Sequence, residues 1–162
     1  MQIVKVETTQ KLILKHLIAL FLHDLSEFNP GQELNQKNGL FEFDEFEWFF
    51  EKDGLTPYFI IYDNHIVGFI LIQSDPFINP ELYDYLVNSF FILKKYRKRG
   101  IGKQAAHQLF QRLPGRYVIG QLSNNDPAIA FWKSVYHHYG VEYEEKEELD
   151  EGLIVKYQYF SV

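Results

Sequence analysis

Apolar positions along the chain follow two periods, and the switches between them lay out the elements. Residues 1–7 read as a strand. Thr8 or Thr9 then caps a helix whose apolar positions 14, 17, 18, 21 and 25 share one face, and Asn29-Pro30-Gly31 ends it. After a polar loop, the aromatic and acidic residues 41–51 read as a second helix. Residues 58–62 and 66–73 are rich in β-branched and aromatic side chains, and Asp63-Asn64-His65 between them predicts a hairpin. A further strand, residues 85–93, runs into a basic, glycine-containing turn. The next helix starts at about Gly102, with apolar positions 106, 109, 110 and 113, and stops at Pro114-Gly115. Residues 116–122 predict a buried strand. Asn125-Asp126-Pro127 opens the last helix with a capping side chain and a proline at the first position. Its apolar positions 128, 131, 132, 135, 136 and 139 keep helical spacing to Gly140, and residues 141–145 and 153–160 read as two closing strands. The order β-α-α-β-β-β-α-β-α-β-β predicts an α/β (α+β) fold, a mixed sheet packed by about four helices. No repeat, low-complexity stretch or linker divides the chain, so residues 1–162 read as one domain.

Composition removes several function classes. Apolar residues make up 46% of the chain, with fifteen Phe and eleven Tyr, which is globular and far from disorder. The absence of cysteine excludes disulfide frameworks, zinc–thiolate sites and Cys nucleophiles. Residues 1–7 lack the features of a secretory signal, and the apolar stretch 12–22 is broken by Lys15 and His16 and too short to span a bilayer. These features predict a cytoplasmic protein that does not enter membranes.

Net charge is −6, and its distribution matters more than its sum. Six of the sixteen basic residues, Lys94, Lys95, Arg97, Lys98, Arg99 and Lys103, fall within ten residues that hold no acid. A basic island in an acidic chain points to a local anion site rather than a nucleic-acid-binding face. Acids gather in residues 27–53 and 142–151.

A strand that ends in a Gly-rich turn and opens a helix is suited to hold an anion. The first helical N–H groups lack intrahelical partners, and the helix dipole adds positive charge there. Gly100 and Gly102 let the backbone adopt unusual dihedrals and approach a pyrophosphate, while Lys98, Arg99 and Lys103 add charge. On spacing alone, a solvated basic turn bent by its glycines accounts for the pattern equally well. Gly100-x-Gly102-x-x-Ala105 also satisfies the dinucleotide-binding fingerprint, but Gly120, Gln121 and Leu122 stand where that reading needs an acid. His137-His138 reads as a surface or capping pair, and no metal site is expected.

Residues 91–102, Phe-Ile-Leu-Lys-Lys-Tyr-Arg-Lys-Arg-Gly-Ile-Gly, resemble the acetyl-CoA motif of the GNAT superfamily, Arg/Gln-x-x-Gly-x-Gly/Ala after a strand. Asn125-Asp126-Pro127-Ala128-Ile129-Ala130-Phe131-Trp132 resembles the second signature, Asn-x-x-Ala-x-x-Phe-Tyr. With Phe-Trp in place of Phe-Tyr, the chain is most similar to small bacterial predicted acetyltransferases. The resemblance implies a mostly antiparallel GNAT-like sheet and acetyl-CoA as co-substrate. It also implies that backbone groups near Phe91, Ile92 and Leu93 pair with the pantetheine arm. Arg97, Lys98, Arg99, Gly100, Ile101, Gly102 and Lys103 would hold the pyrophosphate, and Asn125, Phe131 and Trp132 would line the thiol arm. Transfer would proceed by direct attack of an amine on the thioester in a ternary complex.

The expected proton chemistry is less explicit. Many family members place a Tyr after Phe131 to protonate the leaving thiolate, and an indole at Trp132 cannot serve as a general acid. Tyr136, one turn later, is the nearest substitute, with a packed aromatic as the plain alternative. Asn88 and Asp84 lie on the strand before the turn, but no carboxylate occupies its last part, so no dedicated base is visible. The resemblance implies that acceptor recognition falls to the region after the first helix, where Glu42 and Trp48 stand among acids and aromatics. That cluster reads either as a solvated acidic helix or as a pocket for a cationic amine, small-molecule or peptide. Two functions follow: an active N-acetyltransferase, or a CoA-binding module without transferase activity. The aromatic excess and the C-terminal strands leave room for a homodimer.

Overall fold

The computed structural model describes all residues from Met1 to Val162, and the elements follow the predicted order. They are β1 (Gln2–Lys5), α1 (Lys11–Leu25), α2 (Trp48–Glu51), β2 (Leu55–Tyr62), β3 (His65–Gln73), β4 (Tyr85–Ile92), α3 (Ile101–Arg112), β5 (Arg116–Leu122), α4 (Asp126–Tyr139), β6 (Tyr143–Asp150) and β7 (Leu153–Ser161). Three 3₁₀ turns, Thr8–Gln10, Asp44–Glu47 and Lys94–Tyr96, lead into α1, α2 and the basic turn.

The differences from the sequence reading lie at element ends. Glu7, not Thr8 or Thr9, caps the entry to α1, because Gln10 three residues on accepts the Glu7 N–H at 3.2 Å and closes a capping box. Helical structure in the region read as the second helix begins only at Asp44, with the 3₁₀ turn that leads into α2, since Phe43 is extended. Both hairpins close on two left-handed residues, Asp63-Asn64 and Glu151-Gly152, the backbone that a two-residue turn requires. His65 therefore belongs to β3, and the last two strands run longer than predicted.

The seven strands form one sheet in the order β1-β2-β3-β4-β5-β7-β6. Every pair is antiparallel except β4 with β5, which α3 joins as a crossover. On one face, α3 and α4 pack over Ile60, Ile70, Val87 and Ile119. On the other, α1 and residues 46–49 cover Phe59, Phe69, Leu71 and Phe91. β2 and β3 are therefore buried on both faces, which explains why their sequences are almost continuously apolar. The second cluster includes no residue of β5, β6 or β7, so that half of the sheet has one uncovered face, and β6 is exposed along its length.

Candidate active site

The sheet opens at its one parallel pair. β4 and β5 are paired only over Tyr85–Val87 and Tyr117–Ile119. Immediately beyond, Ile72 of β3 faces Val87 while Leu71 faces Ser89, so Asn88 is an extra, bulged residue. A bulge bends and twists its strand, and here it marks the point where β4 leaves β5. The result is a cleft of about 390 Å³ lined by both strands, by Phe21 and Leu25 of α1, and by Asn125, Ala128 and Trp132 at the start of α4.

Past the bulge, peptide groups alternate between β3 and the gap. The Leu93 N–H donates to the Val67 carbonyl at 2.8 Å. The Phe91 carbonyl faces β3 so closely that a Cβ on Gly68 would lie 2.0 Å from its oxygen. Phe90 and Ile92 therefore turn their peptide groups to the gap. Of the trio Phe91, Ile92 and Leu93 near which the pairing is expected, only Ile92 does so, together with its neighbour Phe90.

The turn after β4 combines two left-handed residues with a helix start. Lys98 has φ 59° and Gly100, the cap residue of α3, has φ 78°. Gly100 meets only the Gln104 side chain at 3.9 Å, so its glycine serves backbone conformation. None of the six consecutive amides of residues 98–103 donates to any protein acceptor. Ile101 points the other way, into the core.

Arg97, together with Lys94, has a different task from Lys98, Arg99 and Lys103. Its Nε donates to the Ile92 carbonyl at 2.7 Å and its Nη2 to Asp24 at 2.7 Å, tying the turn to α1. Burial raises the Asp24 pKa, but hydrogen bonds from Arg97 and Lys94 outweigh it and hold the carboxyl below its ordinary value. Lys98, Arg99 and Lys103 form no ion pair.

Gly102 serves packing rather than backbone freedom. A Cβ there would sit 2.9 Å from Cε2 of Phe131, so the missing side chain is what lets α3 and α4 approach. Phe131 in turn lies 5.4 Å from Phe90, and Trp132 meets Phe90 edge-on at 5.1 Å. Asn125 spends its Oδ1 on the Ala128 N–H at 3.2 Å, as its position at the helix start requires.

A buried polar chain backs this wall. Glu145, paired with Lys133, accepts from Gln158 Nε2 at 2.8 Å. A carboxylate only accepts, so Gln158 must turn its Oε1 inward, where Tyr136 Oη donates at 2.9 Å and Gln121 Nε2 at 3.2 Å. Gln121 Oε1 is left as the one enclosed side-chain polar atom without a partner. The Tyr136 hydroxyl is thus committed to Gln158, the residue is 1% exposed, and it is not part of the cleft lining. Burial, then the nearby Tyr143 and Glu145, push its pKa far up.

The acidic stretch near α2 does not reach the cleft. Glu42 accepts from Asn35 at 2.8 Å and Asn38 at 2.9 Å and pairs with Lys15 at 3.0 Å, pinning the loop before α2. Trp48 is on the surface under Lys52, 3.9 Å from its ring. Of the three predicted acceptor-side residues, only Asn88 lines the cleft. The carboxylate that does line it is Asp150, at the end of β6, beside Tyr157 of β7. The acidic run 142–151 is the only sequence signal for it. A larger, more open groove of about 960 Å³ at the far ends of α3 and α4 contains none of the motif residues. No helix is long and apolar enough to cross a membrane.

Residues 19–136 match the model of the Acetyltransferase (GNAT) family. Comparison with curated proteins returns no match. Among solved structures, an acetyltransferase from Thermus thermophilus superposes with a TM-score of 0.72 at 17% identity, covering 99% of this chain and 96% of its own. A ribosomal-protein-alanine N-acetyltransferase from Brucella melitensis gives 0.65 at 15% identity over the whole of both chains. A GNAT family acetyltransferase from Elizabethkingia anophelis, solved with acetyl-CoA bound, gives 0.59 at 11% identity, covering 99% and 97%. At these identities the likeness is one of fold.

Proposed function

The chain belongs to the GNAT family of acetyltransferases, and we propose that it moves an acetyl group from acetyl-CoA to an amine by direct attack in a ternary complex. The observation that carries this reading is the run of six unpaired amides, residues 98–103, at the end of the strand that parts from β5. Such a row of donors at a helix start, flanked by Lys98, Arg99 and Lys103, suits a pyrophosphate. The gap-facing peptide groups of Phe90 and the N–H of Ile92, whose carbonyl is taken by Arg97, suit the amides of a pantetheine arm running alongside β4. The thioester would then lie against Phe90, Asn125 and Trp132.

In the reaction the amine nitrogen bonds to the thioester carbon, the C–S bond breaks, and the nitrogen loses a proton to solvent. No side chain needs to protonate the leaving group, because a thiolate with a pKa near 8.5, by analogy with cysteine, departs readily at neutral pH. This is consistent with a tryptophan at 132 and a sequestered Tyr136. The protein's part is positioning and polarisation of the carbonyl by N–H donors on β4.

The same absence of an acid suits the second reading, a CoA-binding module. Calorimetry with acetyl-CoA and a thiol-release assay across a panel of amines distinguish the two. Reversing charge at Lys98, Arg99 and Lys103 together removes three cations from the anion site, at about 1.5 kcal/mol or more for each charge-assisted hydrogen bond removed. Acetyl-CoA affinity should fall at least about a hundredfold. Unchanged affinity in the folded triple variant defeats the placement, and binding without amine-dependent thiol release defeats the transferase.

A further inference from the structure

Asp150 is held in place by the β6–β7 hairpin and by Tyr157. The β6–β7 hairpin closes on Glu151 and Gly152, at φ 47° and 82°, which sets Asp150 opposite Leu153. On β5, Gly120 pairs with Tyr157 of β7. A Cβ on Gly120 would lie 2.9 Å from Cε1 of Tyr157 and 3.2 Å from its Cδ1. The absent side chain therefore lets the Tyr157 ring lie across the β5 backbone. From there its hydroxyl donates to Asp150 Oδ2 at 2.7 Å. Burial and the carboxylate itself push the Tyr157 pKa up, so the phenol remains a donor.

One oxygen of the carboxylate is thus occupied and the other is not. Asp150 Oδ1 accepts no hydrogen bond, and no Lys, Arg or His pairs with the residue. The other charged group that acts on Tyr157, Glu148, is also acidic and acts on Tyr159 as well. Lys146 sits over the Tyr159 ring at 5.2 Å. Phe21, Leu25, Leu122 and Val155 supply apolar walls, Gln73, Asn88, Ser89, Gln121 and Asn125 supply neutral polar groups, and Asp150 is the only charged side chain that lines the cleft. A lone carboxylate among apolar and neutral walls fits a cation on a short hydrocarbon stem.

We propose that Asp150 Oδ1 anchors an ammonium group of the acceptor, with Tyr157 fixing the carboxylate, and that this ammonium is not the reacting nitrogen. A carboxylate favours the protonated form of any amine it holds, and a protonated amine is no nucleophile. The anchored and reacting groups are therefore different, and the substrate class is a compact molecule with two basic nitrogens on an alkyl chain. The assignment of the second nitrogen as the acetylated one rests on the transferase reading above; the anchoring of the first does not.

Titration calorimetry with CoA present, using 1,4-diaminobutane and its neutral counterpart 1,4-butanediol as probes, tests the anchor without requiring turnover. Wild type should bind the diamine at least about tenfold more tightly than the diol, as one charge-assisted hydrogen bond implies. Asp150→Asn should abolish that preference, and Tyr157→Phe should reduce it. Asp150→Lys should instead favour 4-aminobutanoate, a gain that misfolding would not produce. Equal affinity for the diamine and the diol in wild type, or an undiminished preference in Asp150→Asn, overturns the proposal. If diamine binding follows Asp150 but no acetylated product forms, the transferase reading fails and the anchor stands. If amines are acetylated with no dependence on Asp150, the anchor fails and the transferase stands.

Discussion

Gly102 lies in the first turn of α3 with φ in the ordinary negative range, so an alanine there should by itself favour the helix by about 0.5–1 kcal/mol. The structure argues for the opposite outcome. The added Cβ would lie 2.9 Å from Cε2 and 3.2 Å from Cζ of Phe131, against an optimum near 3.5–4.0 Å for carbon pairs. Phe131 has little room to retreat, with Phe90 at 5.4 Å and Trp132 at 5.0 Å between ring centroids. Overpacking of this kind costs about 1–3 kcal/mol, which leaves Gly102→Ala less stable than wild type by about 1 kcal/mol. Phe131→Leu removes the offending ring edge, so in that background the same alanine should stabilise. Urea unfolding of the four proteins should give a coupling energy of roughly 1–3 kcal/mol.

Gly100 supplies the control. Its φ of 78° makes an alanine costly by about 1–2 kcal/mol without any clash, so Phe131→Leu should give no relief there, whereas Gly100→Asn should recover part of the loss. A Gly102→Ala variant that gains the full helix propensity, or couples to Phe131 by less than about 0.5 kcal/mol, would refute the packing argument.

Tyr136→Phe should remove one hydrogen bond to Gln158, lowering stability by about 1 kcal/mol and Tm by about 2–4 °C. The turnover of acetyl-CoA with amine should change less than about tenfold, and a hundredfold fall in kcat with intact acetyl-CoA affinity would restore Tyr136 as the acid. Alkaline stability offers a separate check on the core. Tyr117 and Tyr136 have pKa values raised by burial above the ordinary 10.0, so the folded state holds protons that the unfolded state gives up. Their contribution is complete below pH 10 and is lost as pH rises, by up to about 1.4 kcal/mol per pH unit for each tyrosine. Urea midpoints that stay flat between pH 10 and 11, or that fall as steeply in the Tyr117→Phe, Tyr136→Phe double variant, would contradict this.

Much of the fold and of the basic turn is legible along the chain, because the forces involved act over a few residues. Asn125 before Pro127 caps α4, and Gly100 supplies a left-handed residue ahead of α3, whatever lies elsewhere. The unpaired amides of residues 98–103 follow from the same local geometry.

Roles that depend on distant partners differ from their sequence reading. Gly102 is a glycine because of Phe131 on another helix, and Gly120 because of Tyr157 on another strand. Glu42 reads along the chain as an acceptor-side acid, but Lys15, Asn35 and Asn38 claim its carboxylate before any ligand could. Tyr136 keeps the helical face expected of it, yet Gln158 takes its hydroxyl because Glu145 fixes which way the Gln158 amide turns. Asp150 is one acid in a run of acids until β7 pairs with β5 and brings Tyr157 across to it. Periodicity tells which face of an element a residue occupies; which group it meets there depends on strand order and on a bulge at Asn88, set by packing between segments far apart in the chain.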